Sequence, residues 1–145
     1  MKLIVAGTGY VGLVQAAVCS EYGHEVYAYD VDKDKIEAFS TGQADEIEKF
    51  VLEPGLSNII RETHGKSLFF SNNLKDIIEG TDTIFLCLPT PSNLDGSTNL
   101  TYFEKAAEEI ADILARRKDK RRIVIEQQHS SSQGPSMMLA FIMRR

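Results

Sequence analysis

The chain has 145 residues, 43% of them hydrophobic, and a formal net charge of −5 from 16 basic and 21 acidic side chains. That is the length of one domain with a real core, and the acidic balance leaves no general basic surface for nucleic acid. No run approaches the ~20 apolar residues of a membrane span, the first residues do not read as a signal peptide, and two cysteines make no disulfide framework, so a soluble cytoplasmic protein without membrane partners is expected.

The first element is the apolar run Lys2 to Ala6, which enters Gly7-Thr8-Gly9-Tyr10-Val11-Gly12. A strand, a Gly-x-Gly-x-x-Gly turn and a helix together make a pyrophosphate site for a dinucleotide. Gly7 permits the tight turn, Gly9 leaves room for the phosphates, and Gly12 lets the helix lie close to the strand. The helix N-terminus offers free N–H groups and a partial positive charge to the anion. After the turn, Leu13, Val14, Ala17 and Val18 form an apolar stripe at helical spacing, broken at Gly23. A second strand follows over Glu25 to Asp30, with Val26, Tyr27 and Ala28 in the sheet. It ends in an acid eighteen residues past Gly12. The dinucleotide fingerprint expects an acid about 20 residues on, accepting hydrogen bonds from the adenosine ribose. Asp30 therefore predicts NAD over NADP, because a 2′-phosphate would meet a carboxylate and no arginine stands beside it. A glycine turn without such an acid also occurs in α/β domains that bind nothing.

Lys33 to Phe39 reads as a short helix closed by Thr41-Gly42, and Gln43 to Phe50 is acidic and ambiguous. A turn at Leu52-Glu53-Pro54-Gly55-Leu56 opens a helix carrying Ile59 and Ile60, stopped near Gly65. Ser67 to Ser71 is a third strand. Asn73 caps a short helix with Ile77 and Ile78, closed by Gly80. Thr83 to Leu88 is a continuous apolar run, the pattern of a central parallel strand buried on both faces. A loop follows from Pro89 to Ser97. Thr101 and Glu104 then form a capping box for a helix with Phe103, Ala106, Ala107, Ile110, Ile113 and Leu114 on its apolar side. A basic connector, Arg116 to Arg122, leads to a last short strand at Ile123 to Ile125. This succession predicts an α/β fold, a Rossmann-type doubly wound parallel sheet, incomplete at its C-terminus. Ligands of such sheets lie beyond the carboxyl ends of the strands, which places Gly7, Asp30 and Pro89 on one rim. The domain spans 1–126, and 127–145 is an atypical tail. The tail opens loop-like and ends in the apolar string Met137 to Met143, either a terminal helix docked on the sheet or an exposed apolar end.

Several motifs now stand in one order: Gly7 to Gly12, Asp30-x-Asp-x-x-Lys35, Glu53-Pro-Gly-Leu56, Leu88-Pro-Thr-Pro-Ser92 and Asp95-Gly-Ser97. The ordered set resembles the N-terminal domain of the UDP-glucose/GDP-mannose 6-dehydrogenase family over roughly residues 2 to 126, and is most similar to its UDP-glucose branch. The resemblance implies an NAD-dependent, two-step oxidation of a nucleotide sugar, from C6 hydroxymethyl to carboxylate with two NAD consumed. It implies that Gly7, Thr8, Gly9, Tyr10, Val11 and Gly12 hold the pyrophosphate and Asp30 the ribose, with Lys35 beside it. Leu88, Pro89, Thr90 and Pro91 would border the nicotinamide side. A nucleotide-sugar substrate and a homo-oligomer are implied as partners. By its own pattern Lys35 is a solvated helix lysine, and Thr90 a loop residue between prolines.

The departures matter as much. The family's catalytic cysteine, lysine and asparagine belong to regions beyond the matched positions. Cys19, on the first helix, and Cys87, in an apolar strand, read as small buried hydrophobes. The isolated chain is therefore expected to bind NAD weakly and not to turn over. The segment Ala44 to Lys49 makes the chain longer than the family pattern and reads as a tolerated surface insertion. Past Ile123–Glu126, where the family usually carries Ser-Thr-Val-Pro, the chain has Gln128-His-Ser-Ser-Ser-Gln133. Codons exist for this string that give Ser-Thr-Val-Pro-Pro when read one nucleotide later, so the tail reads as a frameshift product. A designed truncation and a true short variant are the alternatives, and the coding DNA decides. His24, His64 and His129 lack metal-ligand spacing, and the Arg116 to Arg122 run reads as a solvated connector after a helix C-terminus. The rival functions are another NAD-dependent Rossmann dehydrogenase and a non-catalytic dinucleotide-binding module.

Overall fold

The computed structural model describes residues 1–116 and the backbone of two later strands, 124–127 and 139–142. In chain order the elements are β1 (Lys2–Ala6), α1 (Tyr10–Glu21), β2 (Glu25–Tyr29), α2 (Lys33–Ser40), α3 (Ala44–Glu48) and α4 (Leu56–Thr63). They continue with β3 (Leu68–Ser71), α5 (Leu74–Ile77), β4 (Thr83–Leu86), α6 (Thr101–Ala115), β5 (Val124–Gln127) and β6 (Leu139–Ile142). The sheet order is β3-β2-β1-β4-β5-β6. Its first five strands run parallel, and β6 pairs antiparallel with β5. This is the Rossmann-type doubly wound sheet that the β-α succession predicts. The chain reverses its winding between β1 and β4, so the carboxyl ends of these two strands flank the crevice where such sheets take ligands.

Each central strand is buried on both faces. In β1, Leu3 and Val5 join one core with Leu13, Ala16 and Ala17 of α1, Phe39 of α2 and Ile60 of α4. Ile4 and Ala6 join the other with Leu74, Ile77, Ile84, Leu86 and Ile110. This alternation is the two-residue period of a strand read against two helical layers.

The local structure departs from the sequence pattern in several places. The buried face of α1 is Gly12, Leu13, Ala16, Ala17 and Ser20, and Val18 is exposed. Small residues win the inward face because they let the helix sit near the sheet, and Ser20 satisfies its hydroxyl on the Ala17 carbonyl at 2.7 Å. The cap of α6 is shifted as well. Thr101 is already helical, Leu100 is the N-cap without a side-chain bond, and the Asn99 side chain accepts the Thr101 N–H at 3.0 Å. Of the apolar positions of α6, only Ile110 is fully buried. The last parallel strand runs over Val124–Gln127, starting one residue and ending two residues later than expected, and Ile123 lies outside the described residues. The tail contributes neither a helix nor a loose end at Leu139–Ile142 but a strand. Residues 128–138 and 143–145, with His129, lie outside the described residues, as do 117–123 of the basic connector.

The ambiguous acidic segment is α3, and it is more than a surface insertion. Ile47 is fully buried in the first core, and Glu48 accepts a hydrogen bond from Ser57 of α4 at 2.9 Å. Phe50, just beyond, meets the buried Phe39 edge-on at 5.8 Å between centroids, a favoured aromatic geometry. Removing a buried isoleucine to alanine loses both transfer energy and packing, typically 2–5 kcal/mol. We expect Ile47→Ala to cost about 2–4 kcal/mol in urea unfolding. A change within about 0.5 kcal/mol would return α3 to the status of an insertion.

Candidate functional site

The site is built where β1 and β4 end and α1 begins. Gly7 has a φ of 98°, a left-handed conformation that an L side chain resists. A Cβ there would overlap the Cys87 carbonyl oxygen and lie 3.4 Å from Leu88 Cδ2. Gly12 is needed for close approach: a Cβ there would overlap the Gly7 carbonyl and stand 3.1 Å from Cys87 Cβ. These two glycines let the first turn of α1 press against the strand ends. Gly9 differs from both. Its φ of −74° and ψ of −167° suit any residue, and a Cβ there would meet nothing within 4 Å. The fold itself therefore does not require glycine at Gly9, and the space in front of it is open.

That open space faces the start of a twelve-residue helix. The first intrahelical bond runs from the Leu13 N–H to the Gly9 carbonyl at 2.9 Å, so the N–H groups of Tyr10, Val11 and Gly12 precede the ladder. The Tyr10 and Val11 side chains stand about half exposed, and their turn carries the positive end of the helix dipole. The arrangement fits a pyrophosphate: donors without helical partners, a positive end, and room for two phosphates to approach backbone.

Asp30, at the carboxyl end of β2, closes the other side. Its Oδ2 accepts the Thr8 N–H at 2.9 Å and the Thr8 hydroxyl at 2.7 Å, and its Oδ1 accepts the Asp32 N–H at 3.0 Å. Lys35 Nζ lies 3.8 Å from Oδ2. Burial pushes the Asp30 carboxyl up, but the Asp32 N–H, the Thr8 hydroxyl, the Thr8 N–H and the Lys35 ammonium together hold it below the usual value. Lys35 is positioned because α2 starts at Asp32, whose side chain accepts the Asp34 and Lys35 N–H groups at its N-cap.

The remaining expected residues fall around this centre. Leu88 packs beside Gly7 and is half-buried like Thr90, while Pro89 and Pro91 are exposed. Beyond them the Ser92–Thr98 bridge forms a small hairpin. The Tyr10 hydroxyl accepts the Leu52 N–H at 3.4 Å, which brings the Glu53-Pro-Gly-Leu turn to the glycine turn. Sequence reasoning had no signal for that contact, because an exposed tyrosine and an exposed leucine carry no pattern. Thr8 is fully buried, behind the surface that a ligand would touch. Cys87 borders the first core, and burial, followed by the neighbouring Cys19, pushes its thiol up to about 11, so it is no thiolate nucleophile at neutral pH. Among the described residues no group of His, Cys, Asp or Glu is placed to hold a metal ion.

A glycine turn at a Rossmann switch point, backed by an acid at the end of β2, defines a dinucleotide-binding domain. The chain belongs to the UDP-glucose/GDP-mannose dehydrogenase family, whose NAD-binding domain it matches over residues 1–134, and its cofactor is NAD. It is 37% identical over 124 residues to the UDP-glucose 6-dehydrogenase AglM of Haloferax volcanii, covering 86% of this chain and 27% of that protein. It is 32% identical over 127 residues to a GDP-mannose 6-dehydrogenase of Pseudomonas syringae, covering 86% of this chain and 28% of that one. Among solved structures, a GDP-mannose dehydrogenase of Pseudomonas aeruginosa in a ternary complex superposes with a TM-score of 0.78 at 28% identity, over 89% of this chain and 29% of that chain. The chain thus spans about a quarter of the length of the relatives it matches.

Two stability measurements separate the roles at this site. Gly12→Ala, which forces a methyl onto backbone, should cost about 2–4 kcal/mol in urea unfolding. Gly9→Ala, entering open space at an ordinary φ, should leave stability within about 0.5 kcal/mol. The depressed Asp30 carboxyl sets a pH dependence. Its stabilisation is fully present above the unfolded value of about 4 and is lost as pH falls through the lower folded value. A pH series of unfolding curves should lose that component in Asp30→Asn.

Proposed function

We propose that this chain is the NAD-binding part of a nucleotide-sugar 6-dehydrogenase, of the kind that oxidises UDP-glucose to UDP-glucuronate with two NAD. In this reading the pyrophosphate lies on the turn from Gly7 to Gly12, held by the leading N–H groups of α1. Asp30 accepts from the adenosine ribose and Lys35 stands beside it. The nicotinamide half runs along Leu88, Pro89, Thr90 and Pro91. The observation that carries the assignment is Gly9: a glycine in an ordinary conformation, with empty space before it and unlinked helix N–H groups beside it. Bound NAD supplies hydride acceptance, and this chain's residues bind and orient it.

The sugar nucleotide is the partner that the family resemblance brings, and the UDP-glucose branch is favoured by the order of the Glu53-Pro-Gly-Leu56 and Leu88-to-Ser92 motifs. A homo-oligomer and a cytoplasmic setting belong to the same reading; no helix among the described residues is long and apolar enough to cross a membrane. Within these 145 residues, none of the matched positions supplies a general base for the sugar alcohol.

Isothermal calorimetry with NAD tests the assignment. The purified chain should bind NAD weakly. Gly9→Ala and Asp30→Ala should each lower affinity at least tenfold, a loss of about 1.4 kcal/mol, while the fold is retained by circular dichroism. Equal affinity in Asp30→Ala would remove the ribose assignment. The same chain mixed with UDP-glucose and NAD should give no NADH absorbance at 340 nm, and steady NADH production would overturn the reading that turnover needs more than these residues.

A further inference from the structure

Thr8 sits between the first two glycines of the motif, at a position the Gly-x-Gly pattern leaves open to any residue. Here it is fully buried, and both of its donors converge on one oxygen of Asp30: the N–H at 2.9 Å and the hydroxyl at 2.7 Å. A carboxylate has about four acceptor positions on its two oxygens. Thr8 fills two on Oδ2, and the Asp32 N–H fills one on Oδ1 at 3.0 Å. One position, on Oδ1, is left for a ligand. The buried hydroxyl cannot reach a ligand itself, and its short bond to a carboxylate is of the strong, charge-assisted kind.

We propose that Thr8 is a positioning residue for cofactor binding: its hydroxyl and N–H fix the Asp30 carboxylate in one rotamer with Oδ2 engaged and Oδ1 presented to the ribose. The inference rests on the reading of Asp30 as the ribose acceptor, and it adds what aims that acceptor. The same pair of bonds ties the pyrophosphate turn to the ribose acid, because Thr8 belongs to the turn and Asp30 to β2. The two halves of the adenosine diphosphate site are therefore set relative to each other before the cofactor arrives, so that less ordering remains for binding to achieve.

The test uses Thr8→Val, which keeps the shape and removes the hydroxyl, and Thr8→Ser, which restores it. Two readouts are taken on the folded chain: the Asp30 side-chain carboxyl titration by carbon NMR, and NAD affinity by calorimetry. In Thr8→Val the carboxyl should titrate at higher pH than in the parent, and the NAD dissociation constant should rise roughly ten- to a hundredfold, the range for losing one hydrogen bond to a charged group. Thr8→Ser should recover both. In an Asp30→Ala background Thr8→Val should add no further loss, because the hydroxyl acts only through the carboxylate. If Thr8→Val does not fold, Thr8→Ala, which only removes atoms, takes its place. Unchanged titration and affinity in a folded Thr8→Val would overturn the proposal, and so would full additivity with Asp30→Ala or failure of Thr8→Ser to rescue. A parent chain that does not bind NAD at all would overturn the ribose reading and this inference with it, whereas a binding parent with an indifferent Thr8→Val overturns the inference alone.

Discussion

The molecule turns on one contact: the backbone of Gly12, in the first turn of α1, against the carbonyl of Gly7 at the end of β1. No side chain fits between them. That closeness sets how near α1 lies to the sheet, which in turn selects Ala16, Ala17 and Ser20 for its inward face. It also fixes where the leading N–H groups of the helix point, since a helix is rigid over its first turn once its ladder begins at Leu13. Were α1 held further out by a single methyl, those groups would move away from Asp30 and from the end of β4 together. The packing of α1 and the placement of its leading N–H groups are thus one constraint seen from two sides.

The layers on either side of the sheet hold this contact in place. Among the described residues the first core is the larger one, and α3 adds Ile47 to it, with Phe50 at the edge of Phe39. Its helices α2 and α3 lead from Asp30 to the turn at Leu52, whose N–H returns to the Tyr10 hydroxyl. The acidic α3 segment is therefore part of the path connecting Asp30 with the glycine turn. On the other face Tyr29, the residue before Asp30, is buried with Leu86 and Ile110. Its carbonyl accepts the Gly7 N–H at 2.8 Å. Asp30 is anchored through its neighbour's backbone as well as through its own side chain.

Much of this is legible in the chain itself, and the exceptions have physical causes. Strands β1, β2 and β4 stand out because burial on both faces demands unbroken apolar runs, and Asp30 stands out because an acid ending such a run is unusual. The inward face of α1 departs from the apolar pattern at Val18 because hydrophobicity ranks valine above alanine and serine, while the geometry at Gly12 rewards smallness. The cap of α6 falls one residue earlier than the residue types suggest: threonine is a good cap by type, but Leu100 takes the position and the Asn99 side chain reaches the Thr101 N–H. The α3 segment was ambiguous because its charges mask a single buried isoleucine. At the site, Gly7 and Gly12 announce themselves by residue type. Thr8 does not, since its importance comes from burial and from the convergence of two donors on one oxygen, and neither is written in local sequence.

The order of the sheet also places a clock on the making of this protein. β1 lies between β2 and β4, and the Lys2 N–H bonds to Asp82, eighty positions along the chain. On a ribosome adding roughly 5–20 residues per second, that second side of β1 waits about 4–16 s for its partner. During that interval β1, α1, β2 and the Asp30 carboxylate are already available to one another, whereas the Cys87 carbonyl that backs the glycine turn has not been synthesised. The glycine turn therefore has one side, the end of β2 with Asp30, synthesised well before the other, the Cys87 carbonyl.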